Sequence, residues 1–138
     1  MASSSTTKSA PERARPLSPH LQVYRLPLVA ITSITHRITG VGNAIGLILM
    51  TYWLIAAAGG EVAYDNAMWF FGSFIGRLML FCWTLSIFYH LLNGIRHLVW
   101  HAGYGYSLPV ANKSATFVCI ATIVLTIITW IIGYAVYG

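Results

Sequence analysis

At 138 residues the chain is 57% hydrophobic and only 8% charged, against roughly 25% charge in a soluble domain, and this makes it a membrane protein. Its formal charge of +5 sits on the N-terminal stretch and a few flanks and forms no basic face interleaved with exposed aromatics, which excludes nucleic acid as a partner. Cys82 and Cys119 fall in apolar segments without metal-ligand spacing and are expected to be buried free thiols.

In chain order, "MASSSTTKSAPERARPLSPH" has no apolar core joined to a cleavage site, so it is not a secretory signal. Residues 1–26 are expected to form a disordered tail followed by an interfacial segment. A transmembrane helix needs about 20 mainly apolar residues to cross about 30 Å of hydrocarbon. Within residues 27–138 three segments qualify, over about 27–58, 68–100 and 115–137. The connection "GGEVAYDNA" carries two acids and no Lys or Arg, whereas Lys8, Arg13, Arg15 and Arg25 precede the first span and Arg96 and Lys113 flank the next connection. Positive charge collects on the cytoplasmic side, so the N-terminus is predicted inside and the C-terminus outside. Two sets of Trp and Tyr fit the two interfaces: Tyr52, Trp53, Trp69, Trp130, Tyr134 and Tyr137 outside, with Tyr24, Trp100, Tyr104 and Tyr106 inside. The fold class predicted is an all-α membrane protein, a three-helix bundle that needs partner subunits.

Polar residues then gather at one depth. His90 lies roughly 15 Å before the inner end of the second span, and His97 shares its helix face about 10 Å nearer the cytoplasm. Asn93 and Gly94 stand between them. On the first span Ser33 and Arg37 are four apart with His36 one residue to the side. Ionisable groups at such depth face a bundle interior and mark a ligand, an ion path or a proton relay. A neutral imidazole suits haem iron, and haem is a flat apolar plate with two propionates on one edge. Gly94, Gly40, Gly42 and Gly46 allow close approach, while His36, Arg37, Arg96 and His97 are placed to meet the propionates. His90 and His97 project from one face of one helix and cannot both ligate one iron. The opposite ligand is therefore His36 or a histidine of another chain. The alternative for these histidines is hydrogen bonding between helices, and for Arg77 a side chain snorkelling to the outer interface. His20 and His101 are expected near the surface.

Three motifs, "RPLSPHLQVY" from Arg15, "SITHRITGVG" from Ser33 and "HLLNGIRHLVWHAGYG" from His90, resemble the cytochrome b subunits of succinate dehydrogenase, the larger of two membrane-anchor chains of respiratory complex II. The resemblance covers nearly all of the chain after the tail. It implies half of a heterodimeric haem-binding bundle, with haem b between this chain and a second anchor subunit. It also implies iron-sulfur and flavoprotein partner subunits and a ubiquinone site. In its terms His90 is the axial haem ligand, the opposite ligand comes from the partner chain, and Ser33 and Arg37 line the quinone pocket. His36 is then a propionate or quinone neighbour, Arg37, Arg96 and His97 are candidates for the propionates or the shell behind them, and Ser18 to His20 lie against the iron-sulfur subunit. His101 stands where the family pattern "RHLxWD" has an acid. A bacterial inner membrane is expected, with the mitochondrial inner membrane as alternative. The rival functions are a haem-free structural anchor and a quinol-linked cytochrome b of another respiratory complex.

Overall fold

The computed structural model describes residues 25–137, without the side chain of the last. The expectations placed on the N-terminal tail, including Ser18 to His20, lie outside these residues. Four helices follow one another: α1 (Leu28–Ala58), α2 (Glu61–Gly72), α3 (Phe74–His101) and α4 (Leu108–Tyr137). Among the described residues there is no strand. By length and composition α1, α3 and the Leu108–Val136 part of α4 can each cross a membrane. The 31 residues of α1 extend roughly 46 Å, well beyond the hydrocarbon, so its ends reach headgroup depth.

Large apolar side chains such as Ile48, Phe74 and Ile131 point outward, and the buried apolar residues are mostly small: Ala56, Ala67, Ala111, Ala115 and Val118. Lipid tails are as apolar as leucine, so helices here associate through close packing and hydrogen bonds instead of the hydrophobic effect. The α1–α3 seam shows how. Gly46 is buried against Trp83, whose indole fills the place of the missing side chain. One turn along, Ser86 Oγ donates to Asn43 Oδ1 at 2.7 Å. Next Gly40 faces His90, and at the far end Gly94 faces His36. Residue numbers fall along α1 as they rise along α3, three or four at a time, which is the spacing of an antiparallel left-handed pair. Along α4 the buried Thr122 and Thr126 return their hydroxyls to Val118 O and Thr122 O at 2.7 and 2.8 Å, which keeps them satisfied without water.

Residues 61–72 form a helix of their own, so the second span expected over about 68–100 is divided: its first residues belong to α2 and the crossing helix starts at Phe74. Gly60, at φ 99°, turns the chain out of α1. Ser73 is extended and divides α2 from α3, while its Oγ accepts from Gly76 N at 3.1 Å and so caps α3. A Cβ on Gly76 would collide with the Phe70–Phe71 backbone, so the corner closes only on glycine. α4 starts at Leu108 and not near 115, because Pro109 is well suited to a first helical turn and Ala111 N bonds back to Ser107 O. The expectation of two buried thiols is corrected: both are free, but Cys82 is exposed and Cys119 half-buried. Cys82 is one residue off the seam that begins at Trp83, and about 100° of rotation per residue turns it outward.

Candidate functional site

The histidines converge at the end of the bundle that carries Leu28, His101 and Leu108. The rings of His36 on α1 and His90 on α3 stack with centroids 3.9 Å apart and planes 11° from parallel. His97, seven residues after His90 on the same helix face, brings its ring to 5.1 Å from His36. All three are half-buried on the α1–α3 pair.

Hydrogen bonding treats the two ends of the His90 ring differently. Nδ1 lies 3.1 Å from the His36 carbonyl oxygen and 3.2 Å from Thr39 Oγ1, both on α1. The carbonyl accepts only, so Nδ1 carries a proton, and in the neutral imidazole this leaves the lone pair on Nε2. On the neighbouring ring His36 Nδ1 is buried without a hydrogen-bond partner among the described residues. Asn93, fully buried, sits one turn beyond His90 with its Nδ2 3.5 Å from His97 Nε2 and 3.4 Å from Thr32 O.

Arg96 is adjacent to His97 in sequence but turns the other way, between α3 and α4. It is 6% exposed and donates four hydrogen bonds: Nε to Ser114 Oγ at 2.9 Å, Nη1 to Thr32 Oγ1 and to Asn93 Oδ1 at 3.1 Å each, and Nη2 to Ala111 O at 3.0 Å. Its guanidinium carbon stands 4.2 Å over the Trp100 ring. Tyr89 adds a bond from its hydroxyl to Thr32 O at 2.9 Å. One guanidinium thus ties three helices together behind the histidines.

The structure therefore gathers His36, His90 and His97, holds Arg96 behind them, and leaves Ser33 half-buried and Arg37 exposed on the outer side of α1. His101 is also exposed, its Nδ1 2.8 Å from His97 O. Thr32, Thr39, Tyr89 and Ser114 were not singled out from the sequence, because their roles need the register between helices. A cavity of about 790 Å³ opens at the opposite end of the bundle, lined among others by Trp53, Tyr64, Arg77 and Tyr134. It is well away from the imidazoles.

Membrane-crossing helices that gather three imidazoles at one end of the bundle define a helical membrane protein with a polar site built between its helices. Residues 11–129 match the model of the succinate dehydrogenase/fumarate reductase transmembrane subunit, and the chain belongs to that family. It is 47% identical over 120 residues to the succinate dehydrogenase cytochrome b556 subunit of Paracoccus denitrificans, covering 87% of this chain and 92% of that one. A subunit of the same description in Rickettsia felis is 37% identical over 126 residues, covering 91% and 98% of the two chains. The mitochondrial succinate dehydrogenase cytochrome b560 subunit of Sus scrofa is 31% identical over 118 residues, covering 82% and 68%. As a transmembrane subunit the chain is one part of a membrane-held oxidoreductase complex.

Proposed function

We propose that the chain is the cytochrome b anchor subunit of succinate dehydrogenase, that it holds haem b through His90, and that it lends Ser33 and Arg37 to the ubiquinone site. The observation that carries this reading is the Nδ1 of His90 facing the His36 carbonyl, because a ligating imidazole characteristically donates its other N–H to a carbonyl or carboxylate. The buried, unpartnered Nδ1 of His36 fits as well, since a propionate would supply the missing partner.

When bound, the haem supplies a one-electron store beside the quinone site. His90 would hold the iron for this chain, and a further protein ligand would come from the second anchor subunit, as the family resemblance implies; His36, stacked on the His90 ring, stays beside it. His36, His97 and Arg37 would receive the propionates. Arg96 would act from behind, keeping Asn93 and Thr32 in place. Ser33 would hydrogen-bond a quinone carbonyl, and Arg37 would stabilise negative charge growing on the quinone oxygen during reduction. Electrons reach this site from succinate oxidised in the flavoprotein subunit by way of the iron-sulfur subunit. The reading places the complex in a bacterial inner membrane, or alternatively a mitochondrial one, with the N-terminus of this chain on the cytoplasmic or matrix side.

The test is a reduced-minus-oxidised visible spectrum of the purified complex. Wild-type protein should show b-type bands and His90→Ala should lose them while succinate–dye activity of the soluble subunits persists. Bands that survive His90→Ala refute the ligand assignment. Their absence from the wild type leaves a haem-free anchor.

A further inference from the structure

One turn of α1 controls the His90 ring more closely than a single hydrogen bond would. Thr39 donates its hydroxyl proton to His36 O at 2.9 Å, the same carbonyl that faces His90 Nδ1. A hydroxyl has one hydrogen to give, so the side of Thr39 Oγ1 that lies 3.2 Å from Nδ1 is a lone pair. Nδ1 thus meets two acceptors at once, and both require the tautomer with the proton on Nδ1 and the lone pair on Nε2. The next residue completes the arrangement sterically. A Cβ on Gly40 would come within 3.2 Å of His90 Cε1 and 3.8 Å of Nδ1, so any larger residue would make the ring give way by a few tenths of an ångström.

We propose that the Thr39–Gly40 step of α1 is a positioning device for His90: the Thr39 hydroxyl holds the imidazole in the tautomer that ligates through Nε2, and the bare Gly40 backbone leaves the ring the room it occupies. The proposal rests on the reading of His90 as haem ligand. Thr39 acts through His90 and is a positioning residue. An acceptor on Nδ1–H adds electron density to the imidazole, makes it a stronger donor and favours oxidised iron, so removing that acceptor moves the midpoint potential upward. Ring orientation is a separate property, and it is read in the low-spin ferric EPR signal.

The experiment uses the whole purified complex carrying Thr39→Val, Thr39→Ser or Gly40→Ala, beside wild type and His90→Ala, with succinate–dye activity confirming that the soluble subunits are assembled. Thr39→Val keeps the shape and loses the acceptor, so its haem should titrate at a more positive midpoint. Thr39→Ser, which restores the hydroxyl, should return to the wild-type value. Gly40→Ala should change the ferric EPR signal and lower haem occupancy. Loss of haem from Thr39→Val with retention in Thr39→Ser would support the same conclusion. Wild-type potentials and EPR signals in both Thr39→Val and Gly40→Ala would overturn it. Survival of the b-type bands in His90→Ala would instead overturn the underlying ligand assignment, and that variant reads it independently.

Discussion

Replacing Arg96 by alanine is the sharpest perturbation of this bundle. The side chain gives four hydrogen bonds to α1, α3 and α4 and is 6% exposed, so nothing from solvent replaces it. Side-chain hydrogen bonds within membranes average about 0.6 kcal/mol and reach about 1.7, which sets a floor near 2 kcal/mol for the four together. The acceptors do not suffer equally. Ser114 Oγ still donates to Ala111 O and Thr32 Oγ1 to Val29 O, whereas the buried Asn93 Oδ1 loses its only partner among the described residues. An orphaned buried acceptor costs about 1–3 kcal/mol. The loss expected for Arg96→Ala is therefore about 2–4 kcal/mol, concentrated on Asn93. Arg96→Lys should recover less than half of it, because a single ammonium cannot present the planar fork that reaches Ser114, Thr32, Asn93 and Ala111 together. Titration of the purified complex with SDS, followed by fluorescence of the tryptophans that include Trp100 beneath the guanidinium, measures both values. A loss under about 0.5 kcal/mol for Arg96→Ala, below even one average membrane hydrogen bond, would refute the role assigned to this residue. So would a lysine variant as stable as wild type.

Gly46→Ala should destabilise the complex by about 1–3 kcal/mol by overpacking against Trp83, seen as a lower thermal midpoint, and Trp83→Leu in the same chain should relieve most of it. Tyr89→Phe removes only the bond to Thr32 O and should cost about 1 kcal/mol in the SDS titration, with the visible spectrum unchanged. Ser33→Ala and Arg37→Gln should depress succinate–ubiquinone activity at least tenfold while succinate–dye activity stays at wild-type level; equal loss of both activities would remove these residues from the quinone site.

Length and hydropathy were enough to find the crossing helices, and helical periodicity alone put His90, Asn93 and His97 on one stripe. Periodicity went only part of the way on α1. His36 is one residue from Arg37 and three from Ser33, and only the position of α3 determines that His36 turns inward to the imidazoles while Arg37 remains exposed. Arg96 illustrates the same limit. Its depth was readable, but its direction depends on where α4 sits, and a rotation of about 100° from His97 carries it to Ser114. The division at Ser73 was hidden because "FFGSFIG" is apolar on both sides, and the signal that marks it is a serine followed three residues later by a glycine whose N–H it caps. Thr39 carries no signal of its own in the sequence, since the residue it meets, His90, is 51 positions away in the chain.

The α1–α3 seam pairs a glycine with a ring at both of its ends, but the helix that supplies the ring changes: Trp83 of α3 enters α1 at Gly46, and His36 of α1 faces α3 at Gly94. Such a pair is keyed like a lock with wards. Sliding α1 by one turn in one direction sets His36 where His90 already stands and puts Asn43 against the indole of Trp83, so the misaligned arrangement meets bulk at both ends. The seat that two helices inserted separately into a bilayer reach is therefore closed to slippage in that direction. That seat already carries the carbonyl, hydroxyl and bare backbone that surround His90, so the floor of the imidazole site is built by helix association alone.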